Sequence, residues 1–297
     1  MSTRSNEWPA LPYTEWRETL DTLHMFTQIV GKIRLALAPD EPQWAQVPLY
    51  PTARGLSTSA MPWAEGTIDI EFDLIDHELV IRASHGALAR VPLVERSVAE
   101  FYTEVMAQLE KLGVHVSIYE TPVEFPNPIP FPDDVTHHSY DRAAVARFFD
   151  AIGRVAAVLH EYRARFRGRT SPVQFFWGTF DLSNTRYSGA PAEPPPDADS
   201  ITRRSYDVEQ ITVGFWPGDE RIPEAAFFAY GYPQPAQIEN ARITPAAAHW
   251  STEHGLFLLR YDDLRREPEP HTALREFFET TYEACASLMG WSQSLAV

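Results

Sequence analysis

A single cysteine, Cys285, leaves the chain without any internal disulfide, which points to a reducing compartment. Lysine is nearly missing as well: of 25 basic residues only Lys32 and Lys111 are not arginine. Such a bias reads as coding drift, and a lysine kept against it suggests a position that suits a compact ammonium. Nowhere do about 18 apolar residues run together, the length a membrane-spanning helix needs. The N-terminus "MSTRSNEWPALPYTEW" lacks the apolar stretch of a signal peptide, so a cytoplasmic protein is expected. Positive charge is in deficit, with 41 acids against 25 bases and a net charge of −16, so neither nucleic acid nor an anionic membrane is an expected partner. HExxH, paired CxxC, GxSxG, the Walker A loop and GxGxxG do not occur, which removes the usual support for zinc proteases, nucleophile-elbow hydrolases, P-loop enzymes and dinucleotide binders. No metal site and no particular cofactor is indicated.

What is present suits a packed core: 44% hydrophobic and 12% aromatic residues in a chain of 297. "ETPVEFPNPIPFPDD", Glu120 to Asp134, carries five prolines and reads as an extended connector. A second proline cluster, "APAEPPPDAD" from Ala190 to Asp199, reads as an exposed loop. On either side of the connector the same order of elements recurs. Periodicity predicts helices over 16–38 and 141–167, each leading into a strand, and an offset of 126 residues superposes Leu56-Ser57 on Leu182-Ser183. An offset of 177 aligns "DHELVI" with "EHGLFL" and Gly113 with Gly290, both at the ends of amphipathic helices over 97–112 and 271–289. In "TIDIEFDLID" the apolar residues alternate with Asp69, Glu71 and Asp73, as in a half-buried antiparallel strand with Arg82 and Arg90 as neighbouring counter-charges. The expected fold is therefore α+β: tandem duplicated α-β-sheet-α units with antiparallel sheets and helices packed on them, related by a pseudo-twofold. The halves would be residues 1–120 and 136–297, with 121–135 as connector and a ligand cleft where they meet.

Two sets of residues carry the candidate chemistry. His24, Gln28 and Lys32, spaced four apart, line one stripe of the first helix, either reading a ligand or forming an ordinary solvated flank. In "SPVQFFWGTFDLSNTRYSG" strand alternation would place Phe175, Trp177, Thr179 and Asp181 on one face and Phe176, Phe180 and Leu182 on the other. A buried Asp181 needs a partner, and Arg186 is the nearest base, so a structural pair and a ligand-facing site are both open. Trp216 in "GFWPGD" and Tyr230 in "FFAYGYP" add aromatic groups with polar tips. His137-His138 point apart in an extended chain, and Cys285 sits in the apolar pattern of the last helix as inert core.

The motifs "WPALP", "LHMFTQIVGKIRLAL", "PNPIPF", "SPVQFFWGTFDLSNTRYSG", "GFWPGD" and "FAYGYP" together resemble a bacterial family known as domain of unknown function 5996, over nearly the whole chain. That resemblance implies no activity. It also implies a His-Glu pair ahead of the GFWPG stretch, where this chain has Val208-Glu209, so a metal role for that histidine does not carry over.

The expectation is a small-molecule-binding protein, or an enzyme acting on an anionic or polar metabolite between the halves. His24 or Asp181 would move a proton, Lys32 and Arg186 would hold an anionic group, and Trp177, Gln28, Trp216 and Tyr230 would line the site. The alternative is a non-catalytic ligand sensor or protein-interaction module whose polar cluster is purely structural. Oligomeric state is left open.

Overall fold

The computed structural model describes residues 7–295. The first half runs α1 (Tyr13–Leu37), β1 (Tyr50–Pro51), β2 (Gly55–Ser57), β3 (Met61–Trp63), β4 (Gly66–Asp73), β5 (Glu78–Ala83), β6 (Leu88–Pro92) and α2 (Val98–Lys111). The second runs α3 (Arg142–Ala164), β7 (Gln174–Phe176), β8 (Asp181–Pro191), α4 (Ser200–Ser205), β9 (Val208–Trp216), β10 (Ala226–Tyr232), β11 (His249–Ser251), β12 (Leu256–Arg260), α5 (Tyr261–Leu264) and α6 (Pro270–Leu288). Both sheets are antiparallel and six-stranded. One has the order β1-β2-β4-β5-β6 with β3 paired to β4, the other β11-β12-β10-β9-β8-β7. The protein is α+β.

Helix boundaries follow local chemistry. Ser97 caps α2 in a reciprocal box with Glu100, and Asp141 caps α3 through Ala143 N–H. α2 and α6 both stop at a left-handed glycine, Gly113 (φ 79°) and Gly290 (φ 71°). In each case the following N–H reaches back five residues, Val114 to Leu109 and Trp291 to Ala286 (both 2.9 Å), as a Schellman ending requires.

α1 and α2 lie against the first sheet, α3 and α6 against the second. One continuous cluster of buried side chains runs through both halves, from Trp8 to Trp291, so the halves share a core. Every residue of α1 from Thr22 to Arg34 is buried. A helix covered on all sides has no solvated flank, and its polar groups must find partners inside.

Two sequence expectations are revised. Residues 171–189 are not one strand: the chain reverses through Trp177–Phe180, with Phe180 at φ 58°, and Gln174–Phe176 pairs back on Asp181–Ser183. Phe175, Trp177, Phe180 and Leu182 are therefore all buried, and a turn replaces the alternation expected there. The acidic strand is compensated differently. Arg82 bridges Asp69 and Glu71, but Asp73 pairs with Arg54, and Arg90 pairs with Glu78. By contrast, "DHELVI" and "EHGLFL" enter β5 and β12 at equivalent places, each second from an edge of its sheet, β5 between β4 and β6 and β12 between β10 and β11.

Candidate functional site

The stripe on α1 reads the connector. His24 Nε2 donates to the Gly178 carbonyl (2.9 Å), which fixes the imidazole tautomer, and the ring sits against Phe125 and Phe180. Gln28, fully buried, binds one residue twice: its amide nitrogen donates to Val123 O (2.7 Å) and its oxygen accepts from Val123 N–H (2.9 Å). Lys32 Nζ donates to Thr121 O (2.6 Å) and lies 4.7 and 5.7 Å from the ring centres of Tyr119 and Phe131. Proline-rich chain forms few hydrogen bonds of its own, so side chains on a buried helix take over its polar backbone. Burial lowers His24 to about 4 and Lys32 to about 8. Trp177 completes this wall. Its indole lies over Gly31, where a Cβ would come within 2.3 Å of the ring, and its N–H donates to Val47 O (2.9 Å).

Arg186 belongs elsewhere. Five positions separate it from Asp181 on one strand, an odd number, so the two project from opposite faces. Leu182, Asn184 and Arg186 face α3 and α6, and Arg186 is 0% exposed. Its guanidinium is 3.4 Å from the Tyr162 ring centre and 4.3 Å from that of Tyr282, and donates to Tyr162 O and to Glu279 (3.4 Å). Among the described residues Arg186 Nε, Glu279 Oε1 and Tyr162 Oη find no hydrogen-bond partner. The structure brings neither Arg186 nor Lys32 to Asp181, so the expected pair of anion-holding cations is not formed.

Asp181, Trp216 and Tyr230 share the outer face of the second sheet. Ser183, Thr185, Thr212 and Tyr230 belong to this face, with Thr185, Thr212 and Tyr230 in one cross-strand row. Thr185 and Thr212 hydroxyls are 2.9 Å apart. Trp216 follows Phe215, the partner of Leu182, and so stands at the Asp181 end. Thr179 donates to the Asp181 carboxylate, with Ser183 also hydrogen-bonded to it. The two proline-rich segments converge here. From the connector, Glu124 lays its carboxylate over Gly178, where a Cβ would be 2.2 Å from Oε2. From the other, Asp199 caps α4, and Tyr206 at the end of that helix meets the Tyr230 hydroxyl (3.4 Å). Desolvation, followed by the charge of Glu124, raises Asp181 to about 6. Desolvation and Asp199 raise Glu124, and burial holds Tyr230 well above its ordinary value.

Sequence reasoning missed Glu124, Ser183 and Thr212, while Thr179 was placed beside Asp181 from the start. The hydroxyls in "GTFDLSNT" and "QITVGFW" were visible, but Glu124 lies 57 residues from Asp181 and no local pattern connects them. Among the described residues no group of three or more His, Cys, Asp or Glu side chains is placed to hold a metal ion, and no helix is long and apolar enough to cross a membrane. His137 instead pairs with the buried Asp134 (2.7 Å), and Glu209 accepts from Ser188 and Trp291.

These features define an α+β protein with two antiparallel six-stranded sheets and a hydroxyl- and carboxyl-lined face on the second. The profile of a family of unknown function (DUF5996) matches residues 8–296, and the chain belongs to that family. No curated protein and no solved structure matches it.

Proposed function

We propose that the protein binds a small polar molecule at the outer face of the second sheet, with Asp181 as the group that exchanges a proton with it. The observation that supports this is the Asp181 carboxyl itself, raised to about 6 and set among the hydroxyls of Thr179 and Ser183, with Tyr230 and Trp216 on the same face. A carboxyl poised there changes protonation near neutral pH, where general acid or base work is most effective. The ligand class follows from charge: the neighbouring charged groups Glu124 and Asp199 are acids, while Lys32 and Arg186 are spent on Thr121 and on Glu279. An uncharged polyol or a cationic amine fits this face better than an anion. A cytoplasmic location accords with a lone buried Cys285, whose thiol burial pushes up to about 12.

The test is a thermal-shift and calorimetric panel of polyols, amines and carboxylates near pH 6, run on the wild type and on Asp181→Asn. Stabilisation by a neutral or cationic compound that the variant loses supports the proposal. Binding of anions alone, or equal binding by both proteins, removes it.

A second reading, a non-catalytic module, is favoured by one observation: His24, Gln28, Lys32, Trp177 and Arg186 all direct polar atoms to the chain's own backbone. It expects no retained metabolite in native mass spectrometry of the purified protein.

A further inference from the structure

On the outer face of the second sheet Asp181 has an aromatic side chain to either side. Register puts Phe176 of β7 opposite it on one strand, and Trp216 of β9 stands one step beyond the Leu182–Phe215 pair on the other. Cross-strand neighbours on one face bring their Cβ atoms to about 5 Å. The next row holds Ser183, Gly214 and Phe228. Gly214 leaves room for the Phe228 ring to lie across β9, since a Cβ there would be 2.5 Å from Cζ and 2.8 Å from Cε1 of that ring. Asp181, Phe176, Trp216 and Phe228 are all partly exposed, so a small molecule can reach them. The carboxylate lacks a counter-charge. Thr179 and Ser183 are its side-chain hydrogen-bond partners, and among the described residues no lysine, arginine or histidine forms an ion pair with it. Arg260 shares its row, but Trp216 and Ala226 stand between them, a gap of three strand spacings or about 14 Å, and its guanidinium is engaged by Glu224 (2.6 Å). Arg203 and Arg204 of α4 turn instead to Pro196 O and to Asp40.

An acid rimmed by rings and left without a cation of its own matches one ligand chemistry. We infer that the molecule bound here is a protonated N-alkylated amine, its N–H donated to the Asp181 carboxylate and its N-alkyl groups laid against Trp216, Phe176 and Phe228. This rests on the reading of Asp181 as a ligand-facing group and narrows the class of ligand. Alkyl carbons on a charged nitrogen share its positive charge, and the negative face of an aromatic ring attracts them. Each competing class loses one of these contacts. A polyol brings no counter-charge to the carboxylate. An unsubstituted ammonium gives up its hydration and has nothing apolar to set against the rings. A carboxylate or phosphate meets Asp181 as a like charge.

Calorimetric titration of the full chain tests this with N,N-dimethylethanolamine, its neutral carbon isostere 3-methylbutan-1-ol, ethanolamine and glycerol, at about pH 7.5 so that Asp181 is ionised. The dimethylated cation should bind about tenfold or more tighter than each of the other three. Asp181→Asn should bring its affinity down to that of the isostere. Trp216→Leu and Phe228→Leu keep apolar bulk and remove a ring, and each should weaken the cation by about threefold or more while changing the isostere less. Cation and isostere bound equally, ethanolamine bound as well as its dimethylated form, or cation binding that survives Asp181→Asn overturns the inference. Preferential, Asp181-dependent binding of glycerol overturns it too, yet leaves Asp181 as a ligand-facing group. Binding of none of the four removes the inference, and a wild type that also binds nothing in the wider panel of polyols, amines and carboxylates removes the site reading with it. Thermal unfolding of each variant checks its fold, and if one ring variant does not fold the other decides.

Discussion

Leu49 and Phe175 exchange both backbone hydrogen bonds, Leu49 N–H to Phe175 O at 2.9 Å and the reverse at 2.8 Å, and so join the edges of the two sheets. They stand 126 residues apart, the offset that superposes Leu56-Ser57 on Leu182-Ser183. A reciprocal antiparallel pair between equivalent residues is what a twofold rotation produces, because each copy presents the same edge to the other. This pairing and the matching glycine ends of α2 and α6 are features the two halves have in common. The seam also sets Trp177, two residues beyond Phe175, against α1, where several consequences can be measured.

Gly31→Ala should destabilise the protein by about 2–3 kcal/mol, although alanine in a helix interior normally gains about 1 kcal/mol. The new Cβ would sit 2.3 Å from the Trp177 ring, which Val47 O holds in place. Gly153→Ala in α3 is the control. Nothing lies within 4 Å of its Cβ position, so the ordinary gain should appear. Urea denaturation of both variants checks the contrast.

Lys32→Met keeps the length of the side chain and removes its donors, leaving Thr121 O without that partner. A loss of about 1–3 kcal/mol is expected in thermal or urea unfolding. Lys32→Arg should fare no better, because a planar guanidinium must fit between Tyr119 and Phe131 where a compact ammonium now sits. Full stability in the arginine variant would contradict this.

Glu279→Ala strands the buried Arg186 guanidinium without its counter-charge and should cost about 3–5 kcal/mol. The double variant Arg186→Met with Glu279→Leu should recover most of that loss, since an apolar pair of similar volume needs no desolvation of charge. A double variant as unstable as Glu279→Ala would show that the aromatic contacts of Arg186 dominate. Equilibrium unfolding of the single and double variants decides it.

Acid acts in opposite directions through Asp181 and His24. The fold favours neutral Asp181. Its stabilising contribution is complete below the unfolded value of about 4 and is lost as pH rises through about 6. His24 is held neutral. Its contribution is complete above the unfolded value of about 6.5 and is lost as pH falls toward about 4. Asp181→Asn should therefore gain on the wild type by up to about 2–3 kcal/mol between pH 4 and pH 7, and His24→Gln should lose relative to it as pH rises. Denaturant titrations across that range check both slopes, and a constant offset for either variant would show that the group does not titrate as described.

Much of the fold is legible locally. Apolar spacing marked α1, α2, α3 and α6 to within a few residues, because an amphipathic period and a terminal glycine or capping side chain act over single turns. The candidate site was legible only in part. Asp181, Trp216 and Tyr230 do share a face, and strand parity alone separates Asp181 from Arg186. The α1 stripe drew attention as polar groups beside an apolar face, yet its partners lie 89, 95 and 154 residues away at Thr121, Val123 and Gly178.

The sequence by itself determined the elements, their caps and stops, and the presence of a few polar groups in apolar surroundings, since propensity, periodicity and turn chemistry act between near neighbours. Only the tertiary structure decided which partner each polar group takes. A buried donor or acceptor must be satisfied by whatever backbone the fold brings beside it, and here the proline-rich connector filled the space between the halves.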